Sequence, residues 1–501
     1  MKNINQLFKD KFSFLTWILL AGIGGYLLYL HFEIIFYPYP SEFREGHMMS
    51  TTKLLINGIN PYILNVYPNY FNSYGILYNI VVYPFAYVFG CTLELHRLIN
   101  GLFIFLSFFL LYFSFKDTII KFPLLGTMLG LLLYSLLLIR ETCIARPDTL
   151  GLFLYLCSIV IPVKNKFTNK SLILSGLFAI LAFYTKSYFL SGWIVITIYL
   201  FLCKNYKKAV LSNVIFLFFF LLTGYIVYKI MPLYFYETIF AYNGSTTIFL
   251  SYSIKQIIFF PLTVIPALLY LIYFSIILIQ EERFKFYSYL KTTPYTVLFL
   301  CILSLLFFPL GINTGAFLTY HYQILLPILI ILILVLSSYY NKKIKGHNLV
   351  ILLMTVLLAA QILYFNRKYN ASVSEWKKFE YYLSGKKNIL NTPVIAPLLL
   401  KQNKPIYDSG VSGFVDIFKP SLLSSTLFGL DNEILKRKEA YYQNINSQIY
   451  AKKFDALVLS KIDSEFFKQI NINGYALIRK MLLPLPHTMG SIELFIYEPF
   501  R

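Results

Sequence analysis

The chain has 501 residues, 58% of them hydrophobic and only 13% charged, with a mean hydropathy of +0.64. Soluble globular domains carry roughly a quarter charged residues, and 24 Gly with 21 Pro exclude collagen-like or low-complexity order, so a polytopic membrane protein remains. The 44 basic against 23 acidic residues, a formal +21, would suggest nucleic acid in a soluble protein, and the placement of those charges decides against it.

Apolar runs fall near 12–34, 98–115, 122–139, 150–162, 171–185, 188–203, 209–231, 256–280, 293–310, 321–340 and 348–364. A further run, 74–89, carries four Tyr, Asn79 and Pro84, which suits a helix lying in the interface. With the N-terminus (Lys2, Lys9, Lys11) inside and 74–89 not crossing, 17 of the 25 basic residues before 365 are cytoplasmic. If 74–89 crosses, the balance reverses. The expected architecture is therefore a polytopic α-helical membrane protein of about 11 transmembrane helices over residues 1–364. It has a long first outside loop, 35–97, containing juxtamembrane helices. The first run is too long for a removable signal peptide and is expected to stay as the first span.

Beyond residue 365 the composition changes to 19 basic and 12 acidic residues with short alternating apolar segments. Strands are expected at 393–396, 454–460, 475–480 and 492–497 and a helix at 431–451, giving a small extracytoplasmic α/β domain over 365–501. Five cysteines (Cys91, Cys143, Cys157, Cys203, Cys301) show no metal-binding spacing. Cys91 and Cys143 both fall outside, where a disulfide is allowed, although isolated apolar-flanked cysteines are ordinarily packed thiols.

Only eleven acidic residues precede 365, and seven of them (Glu33, Glu42, Glu45, Glu94, Glu141, Asp148, Glu237) lie at or beyond the outer surface. Ionisable groups near a membrane are costly, so this bias points to chemistry or transport on the outer face. In YPSEFREGHMM, Glu45 and His47 open a juxtamembrane helix that Gly58 should stop. The helix dipole alone would also favour a carboxylate there. Arg140, Arg146 and Asp148 flank Pro147 at the start of a span, a set able to hold a phosphate and polarise a hydroxyl. The plainer alternatives are snorkelling for the arginines and helix capping for Asp148. Lys186, in LAFYTKSYFLSG, breaks the inside bias as either an anchor or a phosphate contact. Tyr320 and His321 stand at another outer span start, where an aromatic belt is the ordinary reading. No Walker A, GxGxxG, GxSxG, HExxH or zinc spacing occurs. Asn243-Gly-Ser245 matches a glycosylation acceptor, a pattern frequent by chance.

The order of these features resembles the GT-C membrane glycosyltransferases, in the branch of the protein O-mannosyltransferases and aminoarabinose transferases. The resemblance rests on an acidic residue plus Gly after the first span, "L..G..PY", "YG.LY", "AR.D" after the third span and "LAF.TK" after the fifth. It covers residues 10–200 well, 310–330 weakly and the C-terminal domain only in layout. It implies a plasma-membrane enzyme, multi-pass, moving a sugar from a polyprenyl-phosphate donor to a glycan, lipid or protein acceptor at the non-cytoplasmic face, with inversion. Glu45 then resembles the general base, Asp148 the second-loop acid and Lys186 a contact for the lipid phosphate. Where the family often has Asp-Glu, this chain has Arg44-Glu45, with a further acid at Glu42, so the implied base is one of Glu42 and Glu45, and Gly46 with the spacing after it favours Glu45. No cofactor is implied beyond a divalent metal, whose need the sequence leaves open. The competing classes are a flippase or transporter of lipid-linked saccharides and a polysaccharide polymerase. Against transport stand the nearly unbroken apolar spans 98–115 and 209–231.

Overall fold

The computed structural model describes residues 11–500 apart from 68–69, 140–143, 242–261, 281–318, 340–345, 365–372, 408–428, 430, 461–467, 469 and 487–489. The expected span 293–310, the Asn243–Ser245 acceptor, Arg140, Cys143 and Cys301 lie outside the described residues. Cys91 is a free thiol.

The described helices follow the apolar runs: α1 (Lys11–Phe36), then α2 (Glu45–Ile56) and α3 (Leu77–Phe89) in the first loop. Next come α4 (Leu93–Lys121), α5 (Pro123–Ile139), α6 (Asp148–Lys164), α7 (Asn169–Phe183), α8 (Ser191–Leu202) and α9 (Tyr206–Ile230). After α9 a π-helical turn spans Tyr236–Ala241, and α10 (Ile265–Gln280), α11 (Thr319–Tyr339) and α12 (His347–Tyr364) follow. Thr92 and Thr168 start α4 and α7 by accepting the backbone N–H of Leu95 and Ser171. Four of these helices (α1, α4, α9 and α12) are long and apolar enough to cross a membrane. On α9, Val214, Leu217, Phe218, Leu221 and Tyr225 form an outward stripe, each more than half exposed. Helical spacing ordinarily turns such a stripe inward. Each such side chain left in water forfeits roughly 1.5–3 kcal/mol, so the solvent this surface fits is lipid.

Helix α3, at 13 residues, reaches only about 20 Å, short of the ~30 Å hydrocarbon core. Instead it lies on α2, pinned by Asn79 Nδ2, which donates to the Met48 carbonyl and to Thr52 Oγ1, both at 2.9 Å. Its opposite face exposes Ile80, Phe85, Val88 and Phe89. Helix α2 is buried over nearly its whole length and ends where Gly58 takes φ +71°.

The C-terminal residues form α13 (Val373–Ser384), β1 (Ile389–Asn391), a 3-10 turn (Pro393–Ile395) and α14 (Ala396–Lys401). After these come α15 (Asp431–Tyr450), β2 (Ala456–Ser460), β3 (Tyr475–Leu485) and β4 (Gly490–Pro499). The strand expected at 393–396 is not one: Pro393 and Pro397 enter helical turns, and the strand lies just upstream at Ile389–Asn391. The sheet order is β1-β2-β4-β3, with β1 parallel to β2 and the other pairs antiparallel. Central β2 is buried at all five positions. Val458 points toward Trp376 and Phe379 of α13, whereas Leu457 and Leu459 pack with Ile445 and Ile449 of α15, so helices cover both faces.

This unit buttresses the first loop. Trp376 stacks on Tyr39 at 5.8 Å, Tyr39 donates to Glu380 at 2.8 Å, and Arg437 donates to the Leu64 carbonyl at 2.6 Å. Gly46 lies so close to the Pro393 carbonyl and Pro397 that a Cβ there has no room.

Candidate active site

The segment between α1 and α2 carries no regular backbone ladder of its own. Arg97, fully buried in the first turns of α4, supplies the missing donors. Its guanidinium donates to the carbonyls of Ile34, Tyr37 and Tyr39 at 3.1, 2.5 and 2.9 Å and to Ser41 Oγ at 3.2 Å. The remaining edge of the fork meets Glu45, with Nε to Oε1 and Nη2 to Oε2 both at 2.8 Å. Glu45 also accepts the backbone N–H groups of Ser41 (2.8 Å), Glu42 (3.3 Å) and Ala145 (3.1 Å) and the Ser41 hydroxyl (3.1 Å). Burial by itself would raise its carboxyl, but Arg97 and these hydrogen bonds outweigh it and hold the group below the usual range. Glu45 is thus a carboxylate with both oxygens hydrogen-bonded, tying the first loop to the second.

A second cluster forms around Tyr74. Gly75 N–H donates to the Thr185 carbonyl and Leu77 N–H to the Tyr184 carbonyl, both at 3.0 Å, docking the segment before α3 onto the end of α7. Only a residue without Cβ fits at 75, because the Tyr184 carbonyl occupies that space. Lys186 Nζ then stands 5.1 Å from the Tyr74 ring centre, the Arg146 guanidinium stands 6.0 Å from it, and Arg44 Nη1 donates to the Tyr74 hydroxyl at 3.3 Å. Asp148 pairs with Lys186 at 2.5 Å and with Arg146 at 3.1 Å. Glu42 accepts from Arg44 Nε at 2.5 Å and from the Arg44 N–H at 2.8 Å. Asn100 fixes the second loop from α4: its amide donates to the Ile144 and Arg146 carbonyls, and Thr149 donates back to it at 2.6 Å.

Three cations and two carboxylates therefore converge on one ring. Burial pushes the Lys186 ammonium down to about 7, against the opposing pull of Asp148, with Arg146 and Arg44 adding to the depression. For Arg146 burial acts downward as well, yet Asp148, Tyr74 and Glu42 outweigh it and raise the guanidinium, which stays charged. With Lys186 protonated the cluster carries one cation in excess, a charge state that a bound anion would favour.

The structure brings Glu42, Arg146, Asp148 and Lys186 together at Tyr74. It seats Glu45 on Arg97 and places His47 against Asn72, 3.1 Å from Nε2 to Oδ1. Tyr320 and His321 lie in the first turn of α11. Arg97, Arg44, Tyr74 and Asn100 were not named as site residues from sequence, although Arg44 stood out beside Glu45 and Tyr74 opens the YG.LY motif. Arg97 had a signal, an arginine at the edge of the apolar run 98–115 on the acid-bearing side, whereas Asn100 is a single amide inside that run. Among the described residues no three His, Cys, Asp or Glu side chains group as metal ligands would.

The arrangement of helices, the two loop clusters and the C-terminal sheet share their fold with a solved polytopic membrane protein. The particular likeness is to ArnT from Cupriavidus metallidurans. Its structure bound to undecaprenyl phosphate matches with a TM-score of 0.58 at 11% identity, covering 96% of this chain and 98% of that one. Its apo structure matches with a TM-score of 0.56 at 9% identity, covering 96% and 97%. No family model matches the sequence, and no curated protein resembles it by sequence.

Proposed function

We propose that the chain is an integral membrane glycosyltransferase of the plasma membrane. It takes a sugar from a polyprenyl-phosphate donor and transfers it to a glycan, lipid or protein acceptor on the extracytoplasmic side. The single observation that carries this reading is the convergence of Arg44, Arg146 and Lys186 on Tyr74 beside Glu42 and Asp148. The fold supports it, since one ArnT structure of that fold holds undecaprenyl phosphate. The polyprenyl tail would lie along the exposed apolar face of α3, and the eleven-span topology follows from the charge bias.

In the reaction, Glu42 takes the proton of the acceptor hydroxyl as its oxygen attacks the anomeric carbon. The bond from that carbon to the phosphate oxygen breaks, and the lipid phosphate leaves with the electron pair. Lys186, Arg146 and Arg44 meet the charge that grows on it. Asp148 orients Lys186 and Arg146, and a single displacement inverts the anomeric centre. Glu45, the base implied by the family resemblance, is assigned instead as a positioning residue, because Arg97, Ser41, Glu42 and Ala145 already supply its donors. Arg44 stands where the family often has Asp, and Glu42, held by Arg44, takes over the base's role.

The experiment is sugar transfer by the full-length chain in membranes, using a panel of labelled undecaprenyl-phosphoryl sugars, together with mass spectrometry of surface glycans with and without the protein. Glu42→Gln and Lys186→Ala should abolish transfer in chains that remain inserted. Movement of the intact lipid-linked sugar across the membrane without transfer would point to a flippase instead.

A further inference from the structure

Beside the Tyr74 cluster lies a group of buried polar atoms that the mechanism does not use. Glu237, in the π-helical turn after α9, is fully buried. Its turn is held against the first loop: Leu233 N–H donates to the Tyr62 carbonyl at 3.0 Å, the Tyr62 and Tyr234 rings meet at 5.1 Å, and Tyr62 donates to the Tyr74 carbonyl at 2.7 Å. Glu237 Oε2 accepts the Asn72 N–H at 3.0 Å, while Oε1 has no partner among the described residues. The Asn72 side chain is oriented by its Oδ1, which accepts from Tyr74 N–H at 3.0 Å and faces His47, and its amide nitrogen lies against the buried Tyr62 hydroxyl. The adjacent Ser73 Oγ is also buried and unpartnered.

Buried donors and acceptors are almost always paired, so two atoms orphaned among the described residues, Glu237 Oε1 and Ser73 Oγ, on two touching segments call for a ligand. Burial pushes the Glu237 carboxyl well above the carboxylate range, only partly offset by the Asn72 N–H, so the group is a neutral acid. It does not repel an anion at the neighbouring cations. Together Glu237, Asn72 and Ser73 offer both donors and acceptors, the complement of hydroxyl groups. A sugar esterified to a phosphate at the Tyr74 cluster is bound to lie next to that phosphate.

We propose that Glu237, Asn72 and Ser73 form a subsite recognising hydroxyl groups of the donor sugar, and so contribute to sugar specificity. This rests on the reading of the Tyr74 cluster as the phosphate site. The test compares binding of undecaprenyl phosphate alone with binding of its hexosyl, pentosyl and amino-sugar esters by the purified full-length chain. The wild type should bind at least one hydroxyl-bearing ester more tightly than the bare phosphate. Glu237→Leu should remove that gain, a loss of about ten-fold, while holding undecaprenyl phosphate as the wild type does, which also reports that it folds. Glu237→Gln, with a donor and an acceptor in the same shape, should restore most of the gain, and Ser73→Ala should lose part of it.

The subsite falls if no sugar adds to wild-type affinity, if Glu237→Leu keeps the gain, or if it weakens both lipids equally. A gain confined to the amino sugar and lost in Glu237→Gln replaces the hydroxyl assignment with recognition of an ammonium. A wild-type chain that binds none of these lipids overturns the phosphate reading itself, and this inference with it.

Discussion

Replacing Glu45 by Gln separates a positioning carboxylate from a catalytic one. In the folded chain Glu45 is fully buried and shares a bidentate pair with Arg97, which is equally buried. Removing one partner of such a pair strands the other charge and costs about 3–5 kcal/mol. Arg97→Leu should cost at least as much, because the carbonyls of Ile34, Tyr37 and Tyr39 also lose a donor, roughly 1 kcal/mol or more each. The double variant Arg97→Leu/Glu45→Gln should lose less than the sum of the two, with a coupling of about 1–3 kcal/mol. Glu42→Gln should lower transfer by about 10²–10⁴-fold. Because Glu42 is buried against Arg44, the change should also cost up to about 3–5 kcal/mol, so retained undecaprenyl-phosphate binding is the sign that this variant is still folded. The assay is denaturant and thermal unfolding of the detergent-solubilised chain, run beside transfer and undecaprenyl-phosphate binding. If Glu45→Gln unfolds like the wild type yet has lost all transfer, Glu45 is the base and the assignment of Glu42 is refuted.

Lys186 titrates near 7, so its cation is present below that pH and is lost above it. Undecaprenyl-phosphate affinity should rise up to about pH 6 as the phosphate gains its second charge and fall as pH climbs past 7. Lys186→Arg should flatten the upper limb, and a flat wild-type limb would count against a phosphate contact. Gly75→Ala forces a Cβ into the Tyr184 carbonyl and should displace Tyr74, weakening lipid-phosphate binding even where the chain still folds. Wild-type binding by that variant would remove Tyr74 from the site. A reporter fused after Arg367 should be active only outside the cytoplasm, and cytoplasmic activity would invert both the topology and the proposed catalytic face.

How much of this was legible varies with the range of the interaction. The apolar runs located α1, α4 to α10, α11 and α12 because a chain in lipid must satisfy its backbone within each segment, a local rule. The composition of 74–89 marked α3 as a helix suited to the interface, and α3 packs on α2 through Asn79. Strand β1 was misplaced by a few residues because the apolar stretch runs on through Pro393 and Pro397, and only pairing with Ala456–Val458 fixes where the strand ends. The positions of Glu42, Glu45, Asp148 and Lys186 could be singled out by their scarcity and side of the membrane. Their division of labour could not. Glu45 and Arg97 are 52 residues apart, and Asp148 and Lys186 are 38 apart.

The sequence by itself determined the solvent of this protein, the expected orientation of its spans and the loops where its scarce acids gather. Those follow from the transfer cost of each residue and from counting charges, which need no partner. Only the tertiary structure decided which acid is locked and which faces the cations, that Tyr74 is the common ring, and that Glu237 meets Asn72. Those are pairwise matters of distance and hydrogen-bond geometry. A carboxylate saturated by an arginine and one poised beside a cationic cluster read as the same letter until the chain has folded.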